Sequence, residues 1–266
     1  MNSNSLFLSD NMDILKKIDS DFIDLIYIDP PFFTGVDYKE FSDIWRSLED
    51  YVKFMRVRIE EMYRVLKSTG SFYLHLDNNA VYDLKPVCDN IFGRDFFRRE
   101  IIWNVGSVSG FKSQVKGWVR QHDTILYYTK SEKFTFNKQF VPYREEYVKK
   151  MFRYQDEQGK RYRKRREGRQ YLDEKPGRLV GDIWNDIYSY QTRTRSKTYL
   201  GYPTQKPEKL LERIILASSN EGDIVADFFC GTGTTLAVAE RLKRRWIGVD
   251  NNPAAIELCK KRLNIN

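Results

Sequence analysis

Asp223-Ile224-Val225-Ala226-Asp227-Phe228-Phe229-Cys230-Gly231-Thr232-Gly233-Thr234-Thr235 passes from an apolar run through a glycine turn into a helix-forming segment. Residues 223–226 read as a strand and 234–242 as a helix. The two glycines let the backbone approach a ligand closely, and a helix N-terminus offers unpaired N–H groups. The Gly-Lys-Ser/Thr ending of a phosphate loop is missing, as is the third glycine of the dinucleotide fingerprint. On these residues alone the stretch is either a nucleotide-type site or an ordinary glycine turn.

Asp250 narrows the choice. It ends the next strand expectation, 245–249, 23 positions after Asp227, where a carboxylate can accept hydrogen bonds from both ribose hydroxyls. A ligand with a ribose and no phosphate fits this pair of features. S-adenosylmethionine is such a ligand, and its sulfonium favours carboxylates and aromatic rings nearby. Beyond Asp250, Asn252 caps a helix that begins at Pro253 and turns Ala255, Leu258, Cys259 and Leu263 inward. Upstream, Pro207 suits the first turn of a helix whose apolar side is Leu210, Leu211, Ile214 and Ile215.

The first third alternates in the same way. Residues 5–8 are a short apolar run, 10–18 have helical character, and 22–28 read as a buried strand. Tyr51, Met55, Ile59, Met62 and Leu66 repeat at helical spacing; Ser68-Thr69-Gly70 is expected to end that helix and 71–76 to be the next strand. Strands alternating with crossover helices imply an α/β fold with a mostly parallel sheet. Of 266 residues, 41% are hydrophobic and 31% charged, a globular composition. A membrane span and a signal-peptide core are not expected. Cys88, Cys230 and Cys259 lie too far apart for a disulfide framework or a zinc spacing, so no metal is expected, and the location expected is the cytoplasm.

The 22–28 strand stops at Asp29-Pro30-Pro31-Phe32. Prolines cannot donate to a sheet ladder, and ligands of open parallel sheets bind at the carboxyl ends of strands. The motif therefore sets a carboxylate, backbone carbonyls and an aromatic ring at a site-forming edge, or else marks a strand end with a rigid turn. The net charge of +8 is unevenly distributed. Residues 98–197 hold 24 Lys/Arg and 12 Asp/Glu, the remainder 21 and 25. Lys160-Arg161-Tyr162-Arg163-Lys164-Arg165-Arg166 lies inside that stretch, which reads as a polyanion-facing insert or a solvated surface loop. The expected organisation is one α/β domain in two halves, 1–104 and 200–266, around an inserted region, 105–199.

Taken together, the chain resembles amino-methylating (N6-adenine or N4-cytosine) DNA methyltransferases of the permuted beta group, in which the catalytic motif precedes the cofactor motif. Asp29-Pro30-Pro31-Phe32 is similar to that family's catalytic motif. The run from Asp227 through Phe228, Phe229, Gly231, Thr232, Gly233 and Thr234 is similar to its cofactor motif, and Asp250 to its ribose-binding acid. Tyr202-Pro203-Thr204-Gln205-Lys206-Pro207 resembles the element just upstream, which implies that Thr204, Gln205 and Lys206 also help bind the cofactor, and Asp10-Asn11 resembles the segment that holds the cofactor's adenine. The segments 73–77 and 121–126 resemble stretches bordering the site, and Trp184 a position near the pocket, although a core tryptophan explains it equally. Phe32 stands where tyrosine is commoner, and Phe229 where proline is frequent. The resemblance implies a Rossmann-like S-adenosyl-L-methionine-dependent fold with an inserted basic target-recognition region.

It further implies methyl transfer to the N6 amine of a flipped-out adenine in double-stranded DNA, because an Asp-led motif resembles the adenine enzymes more than the Ser-led cytosine ones. N4-cytosine methylation is the alternative within the class, and a catalytically silent DNA-binding subunit the alternative outside it. Lys160, Arg161, Arg163, Lys164, Arg165 and Arg166 are the expected DNA contacts, phosphate ahead of base edges. A homodimer and a cognate restriction endonuclease are compatible partners. Cys88 and Cys230 lack a Pro-Cys context and are expected to be packed residues.

Overall fold

The computed structural model describes residues 4–37, 42–106, 114–174, 177–190, 196, 198–202 and 204–265. The chain divides into two compact units, one of Met1–Asn137 with Asp182–Asn266 and one of Lys138–Gly181.

The larger unit opens with β1 (Ser5–Leu8), α1 (Asn11–Leu15), β2 (Ile23–Ile28) and α2 (Leu48–Val65). It continues with β3 (Leu66–Leu76), α3 (Val81–Phe92), β4 (Phe97–Asn104) and β5 (His122–Thr129). The smaller unit holds β6 (Phe140–Val141), α4 (Glu145–Met151), β7 (Tyr154–Gln155), β8 (Arg161–Arg165), β9 (Gly168–Tyr171) and β10 (Arg178–Leu179). The chain then returns to the larger unit through β11 (Ile183–Trp184), α5 (Glu208–Ser218), β12 (Ile224–Asp227), α6 (Thr234–Arg241), β13 (Arg245–Asp250) and α7 (Pro253–Leu263).

Among the described residues one sheet has the order β1-β13-β12-β2-β3-β5-β4-β11. From β1 to β3 every neighbour is parallel, whereas β5 is antiparallel to both β3 and β4. The carboxyl ends of β2, β12 and β13, which carry Asp29, Asp227 and Asp250, therefore share one edge. This is the Rossmann-like α/β architecture expected from the sequence.

Burial explains why these segments form. In β2, Ile23, Leu25, Ile26, Tyr27 and Ile28 are all buried, as a central parallel strand requires. Ser47 caps α2 by accepting from the Asp50 N–H at 3.1 Å, and Tyr51, Met55, Ile59 and Met62 line its buried side. On α5, Leu210, Leu211, Ile214 and Ile215 are buried. Fully burying one such side chain contributes about 1.5–3 kcal/mol.

Two sequence expectations shift. The helix α2 ends at Val65, and Ser68-Thr69-Gly70 lies inside β3 rather than closing the helix. A Cβ at Gly70 would stand 2.6 Å from Leu66 Cδ1, so this glycine admits a close approach where the β2–β3 register shifts between Ile23 and Leu25. In addition, β5 and β11 fall within 105–199 yet belong to the central sheet, and the second compact unit is shorter than that stretch. The reason is hydrophobic: Thr124 to Thr129 of β5 is buried throughout. Trp184 is buried on β11, with the Arg213 guanidinium 5.0 Å from its ring centre, and it does not line the cavity described next.

The smaller unit pairs β10 with β6 and β7-β8-β9 as an antiparallel sheet. Phe152 and Tyr162 are its buried anchors. Among the described residues no helix is long and apolar enough to cross a membrane.

Candidate active site

A cavity of about 590 Å³ opens at the carboxyl edge of the parallel strands, within the size range of small-molecule sites. Asp10, Asn11, Asp29, Pro30, Pro31, Phe32, Thr204, Gln205, Lys206, Asp227, Phe228, Phe229, Gly231, Thr232, Thr234 and Asp250 all line it. Segments almost the whole chain apart in sequence thus meet at one place. Gly233 is not in the wall; it shapes the turn behind it. Its φ is +72°, and a Cβ there would lie 2.2 Å from Cys259 Sγ on α7. Pro203 lies outside the described residues.

Asp29 follows β2 directly. Its Oδ2 accepts from Lys206 Nζ at 2.6 Å, and its buried Oδ1 has no partner among the described residues. The Phe32 ring stands 5.1 Å from the same ammonium and stacks on His75 at 6.0 Å with an interplanar angle of 24°. Tyr51 Oη donates to the Pro31 carbonyl at 2.7 Å.

One residue that sequence reasoning missed holds this loop. Asp43 is 1% exposed, and its carboxylate accepts from the N–H groups of Phe32, Phe33 and Thr34 at 3.2, 3.1 and 2.8 Å. It also accepts from Thr34 Oγ1 at 2.7 Å and Trp45 Nε1 at 2.9 Å. Phe33 sits at φ +60°, a costly left-handed conformation for a residue with a Cβ. The carboxylate stabilises that conformation by satisfying three successive amides. Nothing in the pattern around Phe-Ser-Asp-Ile-Trp announces the role.

Beneath the loop runs a buried polar chain. Tyr27 Oη lies 2.8 Å from His75 Nδ1, and His75 Nε2 lies 3.1 Å from Asp123 Oδ2. Burial pushes the Asp123 carboxyl up, but the hydrogen bond and charge of His75, with Lys206 and Arg120, bring it below the usual carboxylate range. Asp123 is therefore the acceptor and His75 Nε2 the donor. Burial pushes the Tyr27 phenol far up, reinforced by Asp29 and Asp227, so it keeps its proton while sharing a hydrogen bond with His75 Nδ1. Arg120 closes the chain against Asp123 and Asp77 at 3.1 and 2.9 Å.

The opposite wall is set by β12 and β13. Asp227 accepts from Thr235 Oγ1 at 2.5 Å and from the Phe229 N–H at 3.1 Å, and burial pushes its carboxyl up to about 7. Asp250 accepts from the N–H groups of Gly231 at 2.7 Å and Asn252 at 2.9 Å; burial raises its carboxyl as well. Asp10 caps α1 through the Met12 N–H and is gripped by Arg58 at 2.7 Å. Asn11 Nδ2 donates to the Phe228 carbonyl at 2.9 Å, while its buried Oδ1 has no partner among the described residues. Gln205 acts as a brace: its amide bonds the backbone of Thr198 and Leu200 at 2.6 and 2.8 Å.

The basic residues lie in the smaller unit. Lys160 pairs with Asp173 at 3.5 Å, Lys164 lies over the Tyr154 ring at 4.8 Å, and Arg161 and Arg166 are exposed. Arg163 and Arg165 both donate to Gln170. Among the described residues no group of three or more His, Cys, Asp or Glu side chains could hold a metal ion. Cys88 and Cys230 are both buried.

A mostly parallel open sheet, a glycine turn opening a helix and acids ending two adjacent strands define a Rossmann-like S-adenosylmethionine-dependent methyltransferase fold. Solved structures share it: an M1.HpyAVI–SAM complex, with a TM-score of 0.63 at 19% identity over 98% of this chain and 99% of that one. PvuII DNA methyltransferase (cytosine-N4-specific) gives a TM-score of 0.66 at 18% identity over 98% and 86%.

The family model for N6/N4 DNA methylases matches residues 23–261. The type II methyltransferase M.HpaI of Haemophilus parainfluenzae is 34% identical over 97% of this chain and 74% of its own length. The DNA adenine methyltransferase YhdJ of Escherichia coli K12 is 32% identical over 94% and 79%. The chain belongs to the N6/N4 DNA methylase family.

Proposed function

We infer that the chain transfers a methyl group from S-adenosyl-L-methionine to the N6 amine of adenine in double-stranded DNA, as a member of the permuted beta group. The observation that carries this reading is the buried, unpartnered Oδ1 of Asp29 in the wall shared with Asp250. The Asp-led motif and the name of the E. coli relative favour adenine over cytosine.

The residues present suit the cofactor. Asp250 would bind the ribose hydroxyls, Asn11 with its spare Oδ1 and Asp10 would hold the adenine side, and the turn from Phe228 to Thr234 would cradle the rest. When bound, the cofactor supplies an electrophilic methyl on a sulfonium, which the carboxylates and the aromatic ring of this cavity favour.

The chain's own work is orientation. The exocyclic amine is a poor nucleophile because its lone pair is delocalised into the ring. Asp29 Oδ1 and the Pro30 carbonyl would accept its two N–H hydrogens, drawing the nitrogen toward tetrahedral geometry. Lys206 holds Oδ2 and so fixes which oxygen is presented. The Asp43 latch fixes the backbone that carries Phe32, whose ring would stack on the base with about 1–3 kcal/mol. The base must leave the duplex to reach this depth. The cations of the smaller unit would hold phosphates and set the register on DNA.

Asp29→Ala is expected to abolish methyl transfer while leaving cofactor binding by calorimetry within a few-fold. Full activity in that variant contradicts the assignment.

A further inference from the structure

The β8–β9 ribbon carries a polar arrangement that the transfer reaction does not use. Its two strands are antiparallel, with Arg163 opposite Gln170 and Arg165 opposite Gly168. Side chains at opposed positions, and at i and i+2 of one strand, share a face, so Arg163, Arg165 and Gln170 project together. Gln170 Oε1 accepts from Arg163 Nε at 2.8 Å and from Arg165 Nε at 3.0 Å.

The two arginines then differ. Arg163 also donates through Nη1 to Tyr147 Oη at 2.9 Å, and its guanidinium lies 5.1 Å from the Phe152 ring centre. It is a strut between ribbon and helix. Arg165 is exposed, and its Nη1 and Nη2 have no hydrogen bond or ion pair among the described residues. Its plane is set through Nε by Gln170, and what it presents outward is a fork of donors with no acceptor.

The complement of such a fork is a pair of adjacent acceptors. In the major groove guanine alone offers that pair, N7 beside O6, whereas adenine sets N7 beside a donor. A two-stranded ribbon fits a groove about 12 Å wide. Arg161, Arg163, Lys164, Arg165, Arg166 and Arg169 against the single Glu167 give this ribbon the charge to enter it. We propose that β8–β9 is a major-groove reader, and that Arg165, pre-set by Gln170, recognises a guanine of the target sequence. This rests on the DNA methyltransferase reading above. A phosphate offers the same acceptor pair without sequence information, and the test separates the two.

The chain is expressed in a host with an otherwise unmethylated genome, and methylated positions are mapped by single-molecule sequencing. The wild type, Arg165→Ala, Arg165→Lys and Gln170→Leu are compared. For Arg165→Ala, methylation persists, and preference for one guanine position of the motif falls about 10- to 100-fold. Arg165→Lys relaxes the same position less than Arg165→Ala does, because an ammonium still reaches O6 and N7 but lacks the planar fork that fixes the geometry. Gln170→Leu relaxes the same position to a smaller extent. An unchanged motif in Arg165→Ala, with uniform slowing at every site or none, overturns the assignment in favour of a phosphate contact or a solvated side chain. Relaxation at a position other than guanine overturns it too. A wild type that methylates no motif refutes the methyltransferase reading itself, and is thereby told apart from a failure of Arg165 alone.

Discussion

The ammonium of Lys206 lies 2.6 Å from Asp29 Oδ2, while Asp29 Oδ1 is buried without a partner among the described residues. One oxygen is thus committed to the protein and the other is left for a donor from outside. An amine hydrogen is such a donor, so the lysine turns a symmetric carboxylate into a directed acceptor. Lys206→Met, which keeps the stem but not the charge, is expected to lower kcat on the order of 100-fold. KM for DNA should change far less, as single-turnover kinetics would show.

The loop that presents Phe32 depends on a carboxylate eleven residues downstream. Asp43→Ala leaves three backbone amides and two side-chain donors without their acceptor and releases Phe33 from φ +60°. The expected loss is at least about 2 kcal/mol of unfolding free energy, with activity falling further than stability explains. Denaturant titration alongside rate measurements on the folded variant would check both.

Asp227 makes the stability of the folded chain depend on pH. Its carboxyl is pushed up to about 7 by burial, against an ordinary aspartate value of 3.8. The folded state therefore holds the proton more tightly than the unfolded one. Its contribution to stability is full below about pH 4 and is lost as pH rises to about 7. Asp227→Asn carries no charge to bury, so it should flatten the cofactor-free chain's melting temperature across that window. At pH 8 it should melt above the wild type.

Gly233 is fixed by both conformation and space. Gly233→Ala must hold φ +72° and push Cys259 Sγ away. About 1–2 kcal/mol belongs to the backbone alone, so Cys259→Ala in the same chain should restore only part of the lost stability. Thermal melts of the two single variants and the double variant would separate the terms.

Much of the larger unit is legible because its signals are local. The strand–turn–helix from Ile224 onward, the Asn252 cap and the Asp29-Pro30-Pro31-Phe32 turn each state their conformation within a few residues. The part of the cavity wall formed by residues 29–32, 227–232, 234 and 250 is legible through those turns, since the strands of a parallel sheet bring their carboxyl ends to one edge. What was not legible depends on distant partners. Nothing near Asp43 signals that its carboxylate latches residues 32–34, and nothing in β5 signals that it runs antiparallel between β3 and β4. Helix α3 carries Pro86 inside it, a residue that argues against a helix until packing overrides it. Ser68-Thr69-Gly70 looked like a helix stop because the same residues tolerate a strand with a register shift.

Methyl transfer to adenine, directed by Asp29, leaves a product that can be identified chemically. The most direct measurement incubates the purified chain with plasmid DNA and methyl-labelled S-adenosylmethionine, digests the DNA to nucleosides and separates them by chromatography. Label is expected in N6-methyl-2′-deoxyadenosine, and none from Asp29→Ala. Label in N4-methyl-2′-deoxycytidine would contradict the choice of base, and equal labelling by Asp29→Ala would contradict the role of the carboxylate.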